Sequence, residues 1–261
     1  MNKVKLHKPP LFYTVAQLKF NVIGQIGDYA LRIQEYLRLH GYPDFRPITR
    51  TDLLVIDNNQ LKSEVQPFKQ QSWNFINSSA TEGYSLEADA LVFHTTLYHS
   101  FEDFLKKMLI GLNIVHEIIN LAFIDRIGLR YLNAISPGEN DTLTDYINNS
   151  LLGFSYLENS ALIHSFTETI ANIDNGTLVS RATISESGLT IPRDLYPIQL
   201  TIQDKFTTLT GKLAVIDLDC YINQRFNFDS AIVKEKLSTF HDVITSVFRG
   251  AITNHALKVW S

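Results

Sequence analysis

Two arginines and a glycine on one alternating stretch offer the clearest chemistry in this chain. Residues 126–135 read Arg-Ile-Gly-Leu-Arg-Tyr-Leu-Asn-Ala-Ile. In an extended strand Arg126, Gly128, Arg130 and Leu132 share one face, and Ile127, Leu129, Tyr131, Asn133 and Ile135 share the other. The arginines lie four residues apart, about 13 Å between Cα atoms at ~3.3 Å per residue, so their side chains can converge over Gly128, where no Cβ intervenes. Guanidiniums placed this way could clamp a phosphate, a nucleotide or an acidic peptide. Arg126 and Arg130, with Tyr131 and Asn133 from the same motif, are the candidate ligand- or partner-binding residues. The competing reading is structural, an ion pair across strands or to a covering helix. Its carboxylates are visible, because Asp217 and Asp219 share a face of the 212–222 stretch with Val215 and Tyr221. Two Asp would meet two Arg if the halves of the chain stack.

Other chemistries find less support. Asp217 and Asp219 could do acid–base or metal work, but a metal needs three or more convergent oxygen ligands and only these two are close in sequence. The eight histidines include no pair at i, i+4 with a Glu, and no Cys-x-x-Cys accompanies them. Nucleophile-elbow, phosphate-loop and dinucleotide glycine motifs are all absent. No catalytic residue, metal or cofactor is assigned. Arg249 and His255 form an Arg-x5-His pattern that resembles the ribonuclease motif of small helical toxins and defence effectors. Those domains are helix bundles, whereas this chain is strand-rich. The plainer reading puts His255 near a frayed end, with Trp260 docking the terminus.

The 261 residues are 45% hydrophobic and 19% charged, enough for a sizeable core and too apolar for disorder. So few charges make two arginines on one strand face conspicuous. A net charge of −4 and a pI near 6.1 give no global case for nucleic acid, leaving only a local patch open. Cys220 is the one cysteine and forms no internal disulfide, which suits a reducing compartment. Lys3, Lys5 and Lys8 precede Pro9-Pro10 in place of an apolar signal core. The apolar run 108–124 is broken by Asn113, His116, Glu117 and Asn120, so it reads as an amphipathic helix rather than a span. A cytoplasmic protein with no membrane association is expected.

These candidate residues need elements to position them. Period-2 alternation predicts a strand over 11–20, and a helix follows that Asp28 could cap and Gly41 and Pro43 end. Short strands around 53–56, 64–68, 72–76, 83–87 and 91–97 suggest an antiparallel meander, with turns at Asn58-Asn59 and 78–83. Ser100 with Asp103 resembles a capping box for a helix striped by Phe101, Phe104, Leu105, Met108, Leu112, Val115 and Ile119. The Arg126–Ile135 strand and a short helix near 143–149 lead to further strands near 161–173, 178–185, 196–202 and 212–222. Asp174-Asn175-Gly176 marks a hairpin between the first two of these. A last helix is capped by Asp229 and carries Val233, Leu237, Phe240, Ile244, Val247 and Ala251 on one face.

The Arg-Ile-Gly-Leu-Arg-Tyr-Leu-Asn run resembles the hallmark of a sporadically distributed family of uncharacterised prokaryotic proteins of about 260 residues. Pro9-Pro10, the Trp73 strand, Tyr98 with Phe101–Phe104, and the closing 248–253 segment fit the same pattern, so the resemblance spans nearly the whole chain. It implies no established activity. The family's scattered distribution suggests mobile-element or defence loci. Relatives follow Pro-Pro with Val or Ile and an acidic residue, whereas Leu11-Phe12-Tyr13 stands here, so no role for an acid is carried over.

The expected fold is α+β, with two similar halves, 1–140 and 150–261, each an antiparallel sheet covered by one long helix and together one compact unit, an arrangement consistent with internal duplication. The sixteen Phe and eleven Tyr, with a wide stripe at Phe240, Val247, Phe248 and Ile252, suggest a homodimer or a protein partner. The expected function is a non-enzymatic interaction or regulatory protein that binds a protein partner or an anionic ligand. The alternatives are a nuclease or nucleotide-processing enzyme and a non-catalytic nucleic-acid binder.

Overall fold

Strand β1 (Leu11–Phe20) lies at the centre of the molecule. Its Ala16, Leu18 and Phe20 are buried on one face, while Tyr13, Val15 and Gln17 look out from the other. The computed structural model describes residues 6–58, 62–153 and 162–261, and their side chains outside 50–69. Helix α1 (Ile26–Leu39) follows, with Gln25 at its N-cap and Asp28 in the first turn instead of capping it. Strands β2 (Asp44–Asn58) and β3 (Lys62–Ile76) form one long hairpin where the alternation suggests three short strands. β4 (Glu82–Glu87) and β5 (Ala90–Thr95) complete the antiparallel meander. The turn expected at Asn58-Asn59 lies partly outside the described residues.

Helix α2 (Phe101–Ile119) starts where the Ser100 hydroxyl accepts the Asp103 amide at 3.1 Å, a cap of the kind that contributes about 1 kcal/mol. It leads into β6 (Phe123–Ile135). After the short α3 (Leu143–Tyr146) come β7 (His164–Ile173), β8 (Gly176–Ser185), α4 (Asp204–Thr207) and β9 (Leu213–Asn227). Helix α5 (Ser230–Ala251) is capped by Asp229, whose carboxylate accepts the Ala231 amide at 2.7 Å. α6 (Asn254–Trp260) closes the described chain.

The expected two-halved architecture is corrected by the strand pairing. Among the described residues there is one nine-stranded sheet, in the order β2-β3-β4-β5-β1-β6-β9-β8-β7, and not two sheets each beneath its own helix. β6 decides this, because it leaves α2 and pairs with β1 along one side and with β9 along the other. Two separate sheets would each leave a long central strand with unpaired N–H and C=O groups, and joining edge to edge satisfies both. The halves therefore lie side by side. Helices α1, α2 and α5 all pack on one face over a single large core that includes Phe75, Tyr84, Leu86, Phe93, Leu129 and Leu218.

A smaller apolar cluster on the opposite face joins Phe12, Leu132, Ala134, Leu213 and Val215 to Leu200 and Phe206. Its cover is the largely irregular chain 186–210, which holds α4 and a 3-10 turn at Arg193–Leu195 and corrects the expected 196–202 strand. The alternation of Ile198, Leu200 and Ile202 seats them on this cluster without a ladder, and Pro197 has no N–H to give one. This cover reaches only part of the face and leaves a cleft beside it.

The aromatic surplus of the last helix is used within the chain. Phe240 and Ile252 are buried, and Phe248 stacks on Trp260, whose carbonyl accepts the His7 and Lys8 amides at 2.7 and 3.0 Å. Among the described residues no helix is long and apolar enough to cross a membrane.

Candidate functional site

The cleft has a volume of about 280 Å³ and lies over the middle of the sheet, on the face away from the helices. Its floor is built by register. Val15, Arg130 and Asp219 stand side by side on β1, β6 and β9, and Gln17, Gly128 and Tyr221 form the next row. Ser85, Val92 and His94 extend the floor across β4 and β5, and Asn74 does so on β3. Asp194, Leu195, Pro197 and Ile198 from the irregular cover form one rim.

The two arginines of the motif point into this face and do different things. Arg130 is buried and makes two parallel bonds to Asp217, Nε to Oδ1 and Nη2 to Oδ2, both 2.7 Å. Its Nη1 also donates to the exposed Asp194 at 2.5 Å. Burial alone would lower the Arg130 pKa. The hydrogen bonds and charge of Asp217, then of Asp194, outweigh burial and hold it above its ordinary value. Burial tends to raise Asp194, but the Arg130 guanidinium brings its carboxyl below the usual range. This is the cross-strand ion pair of the structural reading, formed within one sheet.

Arg126 folds back over Gly128. A Cβ at that position would sit 3.4 Å from Arg126 Nη2, so the glycine leaves room for the guanidinium to lie along its own strand. There Nε donates to Gln17 Oε1 at 3.3 Å and Nη1 to Asn223 Oδ1 at 3.1 Å. The guanidinium carbon is 4.1 Å from the centre of the Tyr221 ring. Among the described residues no carboxylate comes within ion-pair distance of it. Asp219, in the neighbouring row, is half-buried, and its carboxylate accepts no hydrogen bond among the described residues. Burial raises its pKa, and the Arg130 and Arg126 charges offset this only in part.

His94 lies deeper. Its Nδ1 is 2.7 Å from the Tyr13 hydroxyl, its Nε2 is buried with no hydrogen-bond partner among the described residues, and burial pushes its pKa down to about 4. The imidazole is neutral near pH 7. Burial also raises the Tyr13 phenol well above its usual range. On the far wall Asn74 Nδ2 donates to the Arg46 carbonyl at 3.3 Å, and Gln70 Nε2 to Glu87 Oε2 at 3.2 Å.

The structure thus brings two of the four candidate residues together. Tyr131 and Asn133 are buried on the helix face. The Tyr131 hydroxyl is 3.2 Å from that of Tyr98 and 2.9 Å from His241 Nδ1, and Asn133 Nδ2 donates to the Ile216 carbonyl at 3.4 Å. Neither lines the cleft. Arg249 and His255 fall on different helices, separated where Ile252 bridges to Ile147, and His255 Nε2 is 3.1 Å from Asp141 Oδ2. Sequence reasoning missed Gln17, His94, Asp194 and Tyr221. Gln17 alone carried a signal, as an amide between Ala16 and Leu18 in a mostly apolar strand. Among the described residues no three His, Cys, Asp or Glu side chains gather to hold a metal ion. Comparison of the chain with protein-family models and with curated proteins finds no match.

Proposed function

We propose that this chain is a non-enzymatic binding protein that takes a small anionic ligand in the cleft above β1 and β6, with Arg126 as the residue that holds the anion. One observation carries the reading. Arg126 is a partly buried guanidinium on the floor of a cleft, and its partners are two neutral amides and an aromatic ring. A charge withdrawn from water without a counter-charge is costly, and an anion in the cleft would offset that cost through a charge-assisted, two-pronged contact. Arg130 already has two carboxylates and is a structural residue in this account.

A volume of about 280 Å³ suits a compact molecule, just under the ~300 Å³ at which drug-sized sites begin. Isothermal titration of the purified chain with inorganic phosphate and with short carboxylates tests the reading. Binding that falls at least tenfold in Arg126→Gln, with the melting temperature held, is the expected result. Equal binding by the variant would refute it.

A further inference from the structure

We infer that the ligand is a zwitterion, presenting a cationic or ammonium group to Asp219 as well as an anionic group to Arg126; this rests on the reading of the cleft as an anion site at Arg126. The two side chains stand in adjacent rows of one floor. Arg126 lies over Gly128 in the row with Tyr221, and Asp219 stands one row on, opposite Arg130. Two residues of strand rise separate the rows by about 6.6 Å. Asp219 does not find a partner in either neighbouring guanidinium. Arg130 turns to Asp217 and Asp194, and Arg126 is held by Gln17 and Asn223. The half-buried carboxyl therefore has acceptor capacity that no described residue uses, in the same cleft as a guanidinium with no carboxylate.

Charge balance points the same way. Arg130 is taken up by Asp217 and Asp194, which leaves in the lining, among the described residues, a guanidinium without a carboxylate at Arg126 and a carboxylate without an ion pair at Asp219. A polyanion such as a triphosphate or a nucleic-acid backbone would be attracted at Arg126 and repelled at Asp219. A compact ligand carrying both signs satisfies Arg126 and Asp219 together.

The test is calorimetry of the full chain with 6-aminohexanoate, 4-aminobutyrate and glycine, beside hexanoate and hexylamine as singly charged counterparts of the longest probe. Wild type should bind 6-aminohexanoate at least tenfold more tightly than hexanoate or hexylamine, and more tightly than glycine, whose charges are too close to span the rows. Asp219→Asn should abolish the preference over hexanoate while leaving hexanoate bound, and Arg126→Gln should weaken both. Hexanoate binding as well as 6-aminohexanoate in wild type overturns the zwitterion inference and leaves the Arg126 reading standing. Binding that is indifferent to Arg126→Gln, or no binding by any probe, overturns both. The wild-type comparison decides the question even if Asp219→Asn does not fold.

Discussion

Arg130 and Asp217 meet on a diagonal. The residue directly opposite Arg130 across the β6–β9 ladder is Asp219, and Asp217 stands opposite Leu132, yet the guanidinium makes both of its 2.7 Å bonds to Asp217. Asp217 is 2% exposed and Arg130 7%, so this pair is desolvated. Removing one partner of such a pair leaves a buried charge and costs about 3–5 kcal/mol. Because Asp194 remains to hold Arg130, Asp217→Ala should fall at the lower end, a loss of about 3 kcal/mol by urea unfolding. Arg130→Met with Asp217→Leu should recover most of it. A change under about 1 kcal/mol for the single variant, the range of an exposed pair, would contradict this role.

Gly111 faces the sheet in the middle of α2. A Cβ there would lie 2.2 Å from Cε1 of Tyr84, a fully buried ring whose hydroxyl donates to the Lys107 carbonyl at 2.6 Å. Alanine gains about 1 kcal/mol of helix propensity over glycine, but a rigid ring held at its far end cannot yield, and overpacking costs about 1–3 kcal/mol. Gly111→Ala should therefore lower the melting temperature. A rise would mean that Tyr84 moves freely.

Gly128 tests the arginine instead of the core. A Cβ there would meet Arg126 Nη2 at 3.4 Å, Tyr221 Cβ at 3.6 Å and the Cys220 carbonyl at 3.8 Å, all ordinary contacts. Gly128→Val should leave stability within about 1 kcal/mol, since a β-branched residue suits a strand. Its extra methyls should displace the guanidinium from the Tyr221 ring and cut carboxylate binding at least tenfold. Unchanged binding in a folded variant would dissociate the folded-back Arg126 from the function.

His94 sets a pH dependence. Its folded pKa of about 4 lies below the ordinary value of 6.5, so the unfolded chain takes up the proton first. Stability from the neutral imidazole is fully present above pH 6.5 and is lost as pH falls toward 4. The loss is on the order of 3 kcal/mol at ~1.4 kcal/mol per unit. Asp219, with its raised pKa, contributes in the opposite sense, favouring acid and losing its contribution as pH rises. Urea midpoints from pH 7.5 to 4.5 should fall steeply in wild type and more gently in His94→Gln. Parallel profiles would remove His94 as the cause.

Much of the local structure was legible in the sequence, because it depends on near neighbours. The alternation over Leu11–Phe20 coincides with β1, and Ser100 and Asp229 cap the helices they precede. The shared face of Arg126 and Arg130 follows from strand periodicity alone. What was not legible depends on long-range pairing. Nothing near Arg126 says that β6 will join β1 to β9 in one sheet, and so nothing says that both Asp will lie beside Arg130 in a ladder, with Arg126 opposite Asn223, instead of facing the two Arg across a stack. Asp194 reaches Arg130 from a single 3-10 turn at Arg193–Leu195, too short to leave a periodic signature. The cleft exists because the irregular cover stops short, and tertiary packing decides where it stops.

The most direct test of the central claim follows the arginine side-chain Nε–H resonances by NMR while 6-aminohexanoate is added to the full chain. The account predicts that the Arg126 signal moves and saturates together with the Gly128 and Tyr221 amides, while the Arg130 signal, tied to Asp217, stays in place. An Arg126 resonance that does not move, or shifts confined to Arg130 or to surfaces outside the cleft, would contradict it.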